Sequence, residues 1–354
     1  MILHVLIYNL IMAGVDVAVL VRLRQRRTLA AWLAGMAVAG VVAAAGLAIV
    51  AVRGSPFALM QLAAYGVFLH GGVLLAGSAV LFWRSRRWLG VLCGAAAVVL
   101  AAVAVDAFLV EPTWLEVSHY RFATSKLSET VRIVVLADLQ TDRVGPYERR
   151  AFQEVVDQRP DLILLAGDYL HADSGEFERL RGELNSLLRE LELRAPLGVY
   201  AVGGNIDRPG WLAIFEGLPV TAVARTTTFR AGELDLTCLD LAESGFPSLN
   251  VPRPDPDRYH VVVGHRPDFA LGRVEADLLL AGHTHGGQVR LPLLGPVLTL
   301  SGVPRSWAAG LTELGGGRRL IVSRGIGHER GSAPRLRFLC RPELLVIDLV
   351  PEER

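Results

Sequence analysis

Six polar side chains share one local setting: Asp138, Asp168, Asn205, His265, His283 and His285 each stand directly or almost directly after a short apolar run. The segments are Ala137-Asp138-Leu139-Gln140, Gly167-Asp168-Tyr169, Gly203-Gly204-Asn205-Ile206-Asp207, Gly264-His265-Arg266-Pro267-Asp268 and Gly282-His283-Thr284-His285-Gly286-Gly287-Gln288. Carboxylate, amide and imidazole together form a donor set for divalent cations, and mixed oxygen and nitrogen ligation suits Mn, Fe or Zn rather than Ca. Two such ions roughly 3.5 to 4 Å apart hold a hydroxide, polarise a phosphoryl oxygen and stabilise a leaving oxygen. Any one of these residues alone has an ordinary explanation, since an Asp after a strand often caps a helix and a His after Gly is often a turn residue. Their order, each at the end of a separate run, carries the metal reading.

The runs themselves read as strands alternating with helices. Val131 to Ala137, Leu162 to Ala166 and Gly198 to Val202 are short and β-rich, with helices over Tyr147 to Gln158 and Glu176 to Leu193 between them. Further runs follow at Leu234 to Leu239, Tyr259 to Val263, Ala276 to Ala281, Leu320 to Ser323 and Leu344 to Leu349. This order implies an α/β layered domain whose strand-rich later half allows a second sheet. In open α/β sheets ligands gather at the carboxyl ends of strands, so five strands deliver the six donors to one edge.

In order and spacing these segments resemble the motifs D-x-H, G-D, G-N-H-D/E, G-H and G-H-x-H of the calcineurin-like metallophosphoesterase superfamily, over roughly residues 131 to 350. The Gly-His-Thr-His-Gly-Gly-Gln-Val stretch, the Gly-His-Arg-Pro-Asp segment and Ser323-Arg324-Gly325-Ile326-Gly327 with Arg341-Pro342-Glu343 look like its bacterial membrane-associated branch. The resemblance implies an α/β (α+β) four-layer sandwich of two mixed β-sheets flanked by helices. It implies that Asp168 bridges two divalent ions, with Asp138, Gln140 and His285 at the first and Asn205, His265 and His283 at the second. Asp168, Asn205 and Asp207 are then the expected catalytic residues, Asp207 by orienting the site. The implied reaction is hydrolysis of a phosphate ester, a phosphodiester first, by attack of a metal-bridging hydroxide.

Two positions depart from that pattern. Gln140 stands where an imidazole would ligate the first metal; its amide oxygen is a harder, weaker ligand that favours Mn²⁺ or Mg²⁺ over Zn²⁺. Asp142 is a second oxygen donor nearby. Ile206 replaces the histidine that in relatives contacts phosphate and is often assigned as proton donor, a role worth roughly 10²- to 10⁴-fold. His171 and His328 are candidate replacements by position, and Arg208 and Arg266, with Arg324, are candidates to bind phosphate oxygens. These departures also motivate the alternative of a catalytically degenerate binding or sensor module on the same fold.

Composition changes near residue 111. Before it lie four apolar stretches, Leu3 to Val21, Leu29 to Val52, Phe57 to Phe82 and Leu89 to Val110, each near the roughly 20 residues that cross a membrane as a helix. Residues 1–110 are therefore expected to be a transmembrane region, 111–130 a linker and 131–354 the catalytic domain. Arg22, Arg24, Arg26 and Arg27 separate the first two spans, Arg84, Arg86 and Arg87 the last two, while Arg53 is alone between the middle pair. Cytoplasmic retention of the Arg-rich loops makes this a multi-pass cell-membrane protein with its catalytic domain on the periplasmic or extracellular side. Within the spans, His4, Asp16, His70 and Asp106 are ionisable; Asp16 and Asp106 are expected near water at span ends, and a lone His in a bundle commonly bonds a neighbouring helix.

The chain's 354 residues are 52% hydrophobic with a net charge of +1, and Lys126 is the only lysine, so no basic excess points to nucleic acid. Cys93, Cys238 and Cys340 lack the spacing of a zinc ribbon or a disulfide framework. The expected partners are the membrane and a phosphate ester, a lipid-linked one among the candidates, with no nucleic acid.

Overall fold

The computed structural model describes residues 2–51 and 56–352; Val52 and Arg53 lie outside the described residues. Two compact units result, one of residues 1–109 with 329–335, the other of residues 110–328 with 336–354.

The first unit holds α1 (Ile2–Arg26), α2 (Leu29–Ala51), α3 (Pro56–Phe82) and the start of α4 (Arg87–Thr113), all long and apolar enough to cross a membrane. Two stretches depart from the α-helical repeat, π turns at Tyr65–Gly71 in α3 and Asp106–Val110 in α4. Asp16 does not sit near water as its position suggested. It is buried at 4% exposure because His70 of α3 binds it, Nδ1 to Oδ2 at 2.7 Å, while His70 Nε2 donates to Asn9 Oδ1 at 3.0 Å. Pairing across helices removes the need for a path to solvent.

The second unit is a sandwich of two six-stranded mixed sheets. Its strands are β1 (Glu116–Thr124), β2 (Val131–Leu136), β3 (Leu162–Leu165), β4 (Val199–Val202), β5 (Thr221–Val223), β6 (Thr227–Ala231), β7 (Leu234–Cys238), β8 (Tyr259–Val263), β9 (Leu278–Ala281), β10 (Gly310–Gly315), β11 (Arg318–Val322) and β12 (Glu343–Pro351). The orders are β1-β12-β2-β3-β4-β5 and β10-β11-β9-β8-β7-β6. Strands β2 to β5 run parallel, as do β7, β8, β9 and β11, so both blocks point their carboxyl ends one way within their sheet. Part of the expected linker is thus a strand: β1 pairs with β12 along its length, from Glu116 with Glu343 to Thr124 with Pro351.

Period-two alternation builds the layers. Ile133 and Val135 of β2 and Leu162 and Leu164 of β3 face Val261 and Val263 of β8 and Leu278 and Leu280 of β9, forming the core between the sheets. Their neighbours Val134, Leu136, Ile163 and Leu165 point outward onto α5 (Pro146–Asp157) and α6 (Phe177–Glu190) through Phe152, Val155, Leu180 and Leu184. Over the second sheet, Val262, Leu279 and Val322 are covered by Phe269 and Ala270 of a 3₁₀ turn, so this outer layer is made of short turns rather than long helices. Helix α5 begins where it does because Pro146 fixes its first turn and the Glu148 carboxylate accepts from the Gly145 N–H and the Thr141 hydroxyl. That anchor pins the loop that carries Gln140.

The lower end of the second sheet is held by Asp277, whose carboxylate accepts from Lys126 Nζ at 3.0 Å, from the Arg253 guanidinium and from the His260 N–H at 2.8 Å. Burial opposes ionisation there, but these donors hold its carboxyl below 3.8. A depressed pKa stabilises the fold above the unfolded value and is lost as pH falls through the folded one. Asp277→Asn should therefore cost about 2 kcal/mol at pH 7. The loss should show as a lower melting temperature of the full chain in detergent, and its gap from wild type should close on acidification below 3.8.

Candidate metal centre

The first donor, Asp138, sits two residues beyond the end of β2, fully buried, with both oxygens accepting from the His283 N–H at 2.9 and 3.0 Å. Asp168 follows β3; its Oδ1 accepts from the Ile206 N–H at 2.7 Å and its Oδ2 lies 3.3 Å from His265 Nε2. His265, fully buried after β8, donates from Nδ1 to the Ala166 carbonyl at 2.9 Å and turns Nε2 to Asn205 Oδ1 at 2.9 Å. Ligand atoms of Asp138, Asp168 and His265 all lie within 4.8 Å of one another. The His283 ring packs edge-on against His265, centroids 5.1 Å apart, and its Nε2 donates to the Leu300 carbonyl at 3.1 Å. Gln140 and His285 are buried in the same unit; the Gln140 N–H donates to the Asp168 carbonyl at 2.8 Å.

The backbone bends unusually to achieve this. Asp138, Gln140, Asp168, His283 and His285 all have positive φ, between 41° and 71°, a conformation costly for side chains other than glycine. Close approach explains adjacent glycines: a Cβ at Gly282 would meet Asp138 Oδ2 at 2.6 Å, and one at Gly204 would fall onto Asp168 Oδ1. Asp207 supports the bend rather than facing the donors. Its carboxylate accepts from the N–H groups of Asp168, Tyr169 and Gly204, each at 2.8 Å.

Charge is distributed unevenly. Burial raises Asp138, with Asp168 adding to the effect, and Asp207 is raised for the same two reasons. Burial also opposes ionised Asp168, but the charge and hydrogen bond of His265 and the Ile206 N–H hold it below the ordinary carboxylate value. His265, which burial alone would lower, is lifted to about 9 by Asp168. Burial and the neighbouring His265 push His283 down to about 4, and burial with Arg337 holds His285 well below the ordinary imidazole value.

These residues fit divalent metal ions. A ligating histidine characteristically gives its other N–H to a backbone carbonyl, which fixes the tautomer and aims the remaining nitrogen. His265 on Ala166 and His283 on Leu300 both do so, leaving His265 Nε2 toward Asp168 and His283 Nδ1 available. Two carboxylates and the imidazoles, His265 after giving up its Nε2 proton, would then supply the mixed donor set already inferred.

The substrate-side arginines differ. Arg208 spends its guanidinium on the Ala172 carbonyl and the Ser174 hydroxyl, both at 3.0 Å, which shapes the loop after Asp168. Arg266 is partly buried, its charge is felt at His283, and its buried Nε has no partner among the described residues. Arg324 is tied to Glu116 and Glu343 at 3.0 Å. Sequence reasoning overlooked Arg337, fully buried, whose guanidinium donates to the carbonyls of Arg324, Gly325, Gly327 and Cys340. The turn it holds donates N–H groups of Ile326 and Gly327 to the carbonyls of Ala137 and Asp138. Its only sequence signal was a cation within the mixed stretch Leu336-Arg337-Phe338-Leu339.

Residues 131–287 match the calcineurin-like phosphoesterase family. Phosphodiesterase YaeI of Escherichia coli (strain K12) is 32% identical over 262 residues, 68% of this chain and 90% of that protein. The uncharacterized metallophosphoesterase YkuE of Bacillus subtilis (strain 168) is 29% identical over 68% of this chain and 87% of its own length. Because that similarity runs through the same strand ends that bring the donors together, the chain belongs to the calcineurin-like metallophosphoesterases, hydrolases acting on phosphoric ester bonds.

Proposed function

We propose that this chain is a membrane-anchored phosphodiesterase that uses two divalent metal ions. The convergence of Asp138, Asp168 and His265 ligand atoms within 4.8 Å carries the reading. The phosphodiesterase name of the YaeI relative supports the diester over the monoester. In this proposal Asp168 would serve both ions, Asp138, Gln140 and His285 would help hold one, and Asn205, His265 and His283 would help hold the other. When bound, the ions supply an activated water and counter-charge for the phosphoryl oxygens. Mn, Fe, Zn or Mg each suit these donors, with Gln140 tilting the first site toward Mn or Mg.

The chain's own residues do the rest. Asp207 and the Ile206 N–H hold Asp168 in its strained turn, so the carboxylate is oriented before substrate arrives. Arg266, whose charge is felt at His283, is assigned to a phosphate oxygen. The Ile206 side chain has no proton to give, which favours esters whose leaving group departs without acid assistance. Four apolar helices and the Arg-rich loops between them support anchoring in the cell membrane with the catalytic unit on the periplasmic or extracellular side. An ester borne on a lipid or another envelope component suits that position.

Hydrolysis of a chromogenic phosphodiester with added Mn²⁺ should fall to the uncatalysed background in Asp168→Ala; equal rates in the two proteins would end the enzymatic reading. In Gly204→Ala, the new methyl displaces Asp168, and metal affinity measured by titration calorimetry should weaken about 10- to 100-fold. A reporter active only in the cytoplasm, fused at the C-terminus, should stay silent, whereas an exported-only reporter should be active.

A further inference from the structure

Residues 291–304 carry no charge and run Leu-Pro-Leu-Leu-Gly-Pro-Val-Leu-Thr-Leu-Ser-Gly-Val-Pro, in a unit otherwise rich in Arg, Asp and Glu. They begin in a short hairpin in which Arg290 pairs with Pro296 and Leu291 with Gly295. Its apolar side chains are not buried. Leu293 at the tip is fully exposed, Leu294 is 74% exposed, and Leu291, Val297 and Leu300 are exposed beside them. Leu293 also holds φ at 68°, a left-handed conformation that is costly for a bulky side chain and points to a functional demand. The base of the loop, by contrast, is built into the candidate metal centre. The Val297 N–H donates to the Val289 carbonyl at 3.1 Å, and the Leu300 carbonyl accepts from His283. The Ser301 hydroxyl and the Gly302 N–H both donate to the Asp268 carboxylate at 2.7 Å. A water-facing tip of leucines thus grows from the segments that carry His265, His283 and His285.

We propose that this hairpin inserts into the hydrocarbon of a lipid bilayer and that the diester reaching the metal centre is borne on a lipid. The proposal rests on the membrane-anchored hydrolase reading above. Contiguous exposed apolar side chains mark protein or membrane contacts, and three features favour the bilayer. The same chain carries four helices long and apolar enough to cross a membrane, so a bilayer is tethered to it rather than met by diffusion. The leucines stand as prongs on a turn, not as a flat face, which suits a fluid partner with no fixed surface to match. Arg290 and the exposed Arg305 bracket the uncharged stretch, placing cations where anionic headgroup phosphates lie once the tip is inserted.

The test uses the full chain in lipid nanodiscs. Leu293→Cys carries an NBD fluorophore, the native cysteines being buried, and Phe246→Cys, an exposed apolar position of the same unit, is the control. Lipids with a doxyl group on the acyl chain should quench the label at position 293 about threefold or more beyond that at position 246. Equal quenching at the two positions, or none at 293, overturns the insertion. For the substrate, a diacylglycerol phosphodiester of p-nitrophenol in the nanodisc is compared with soluble bis-p-nitrophenyl phosphate. In each, water adds to phosphorus, the P–O bond to the aryl group breaks, p-nitrophenolate leaves and the water's proton passes to solvent. Leu293→Asp combined with Leu294→Asp should lower the lipid-to-soluble rate ratio about tenfold, the worth of roughly one apolar side chain withdrawn from hydrocarbon. An unchanged ratio overturns the lipid substrate. The failures separate, because quenching needs no turnover and Asp168→Ala should leave it as it is in the labelled parent. Equal hydrolysis by Asp168→Ala and wild type ends the hydrolase reading without touching the insertion, whereas absent quenching in an active protein ends the insertion alone.

Discussion

Burying two carboxylates side by side is among the more expensive things a fold can do, and Asp138 and Asp168 are both buried. The His265 imidazole between them offsets that cost, 3.3 Å from one and 3.8 Å from the other. Much of the second unit follows from keeping this trio in place. Backbone N–H groups of His283 and Ile206 approach the carboxylates, and those approaches demand positive φ at the donors and glycine beside them. Strain of this kind persists only where surrounding structure over-determines it. Here Asp207 and Arg337 do so, one collecting the N–H groups of Asp168, Tyr169 and Gly204, the other collecting carbonyls of the turn that clasps Asp138.

What the sequence revealed and what it hid divide along a physical line. The apolar runs at Val131, Leu162, Gly198, Leu234, Tyr259, Ala276, Leu320 and Leu344 correspond to the interior strands of both sheets. The strands that escaped notice, β1, β5, β6 and β10, are the edges of those sheets. An interior strand buried on both faces reads as an uninterrupted apolar run, whereas an edge strand keeps a solvent side and its pattern fades into ordinary loop composition. Glu116-Val117-Ser118-His119 and Gly310-Leu311-Thr312-Glu313 show how little remains to read. At the site, donor residues were legible because their types are unusual after apolar runs. Supporting contacts were not, because the Ile206 N–H and the carbonyls around Arg337 belong to the backbone and leave no mark on residue type.

The helical unit follows a similar economy. Asn9 donates its amide N–H to the Val5 carbonyl at 2.8 Å, which fixes the amide so that its oxygen faces His70. His70 must then donate from Nε2, and its Nδ1 is left to Asp16. Asn9, His70 and Asp16 are thus joined side chain to side chain inside an apolar bundle. In a setting where apolar side chains gain little from leaving lipid, such a contact gives α1 and α3 a specific register that Ala and Val alone would not.

The two departures from the family pattern act differently on the proposed chemistry. Gln140 and a neutral histidine carry the same charge, so exchanging one for the other leaves the electrostatic balance around Asp138 and Asp168 intact. Only the hardness of one donor changes, and with it the preferred ion. Ile206 removes a side-chain proton donor yet keeps its N–H on Asp168 at 2.7 Å, a bond that any non-proline residue at this position can make. The structural duty of the position is thus independent of its side chain. Loss of the imidazole therefore bears on phosphate contact and on the leaving group, and it leaves the geometry that gathers the candidate metal donors as it was.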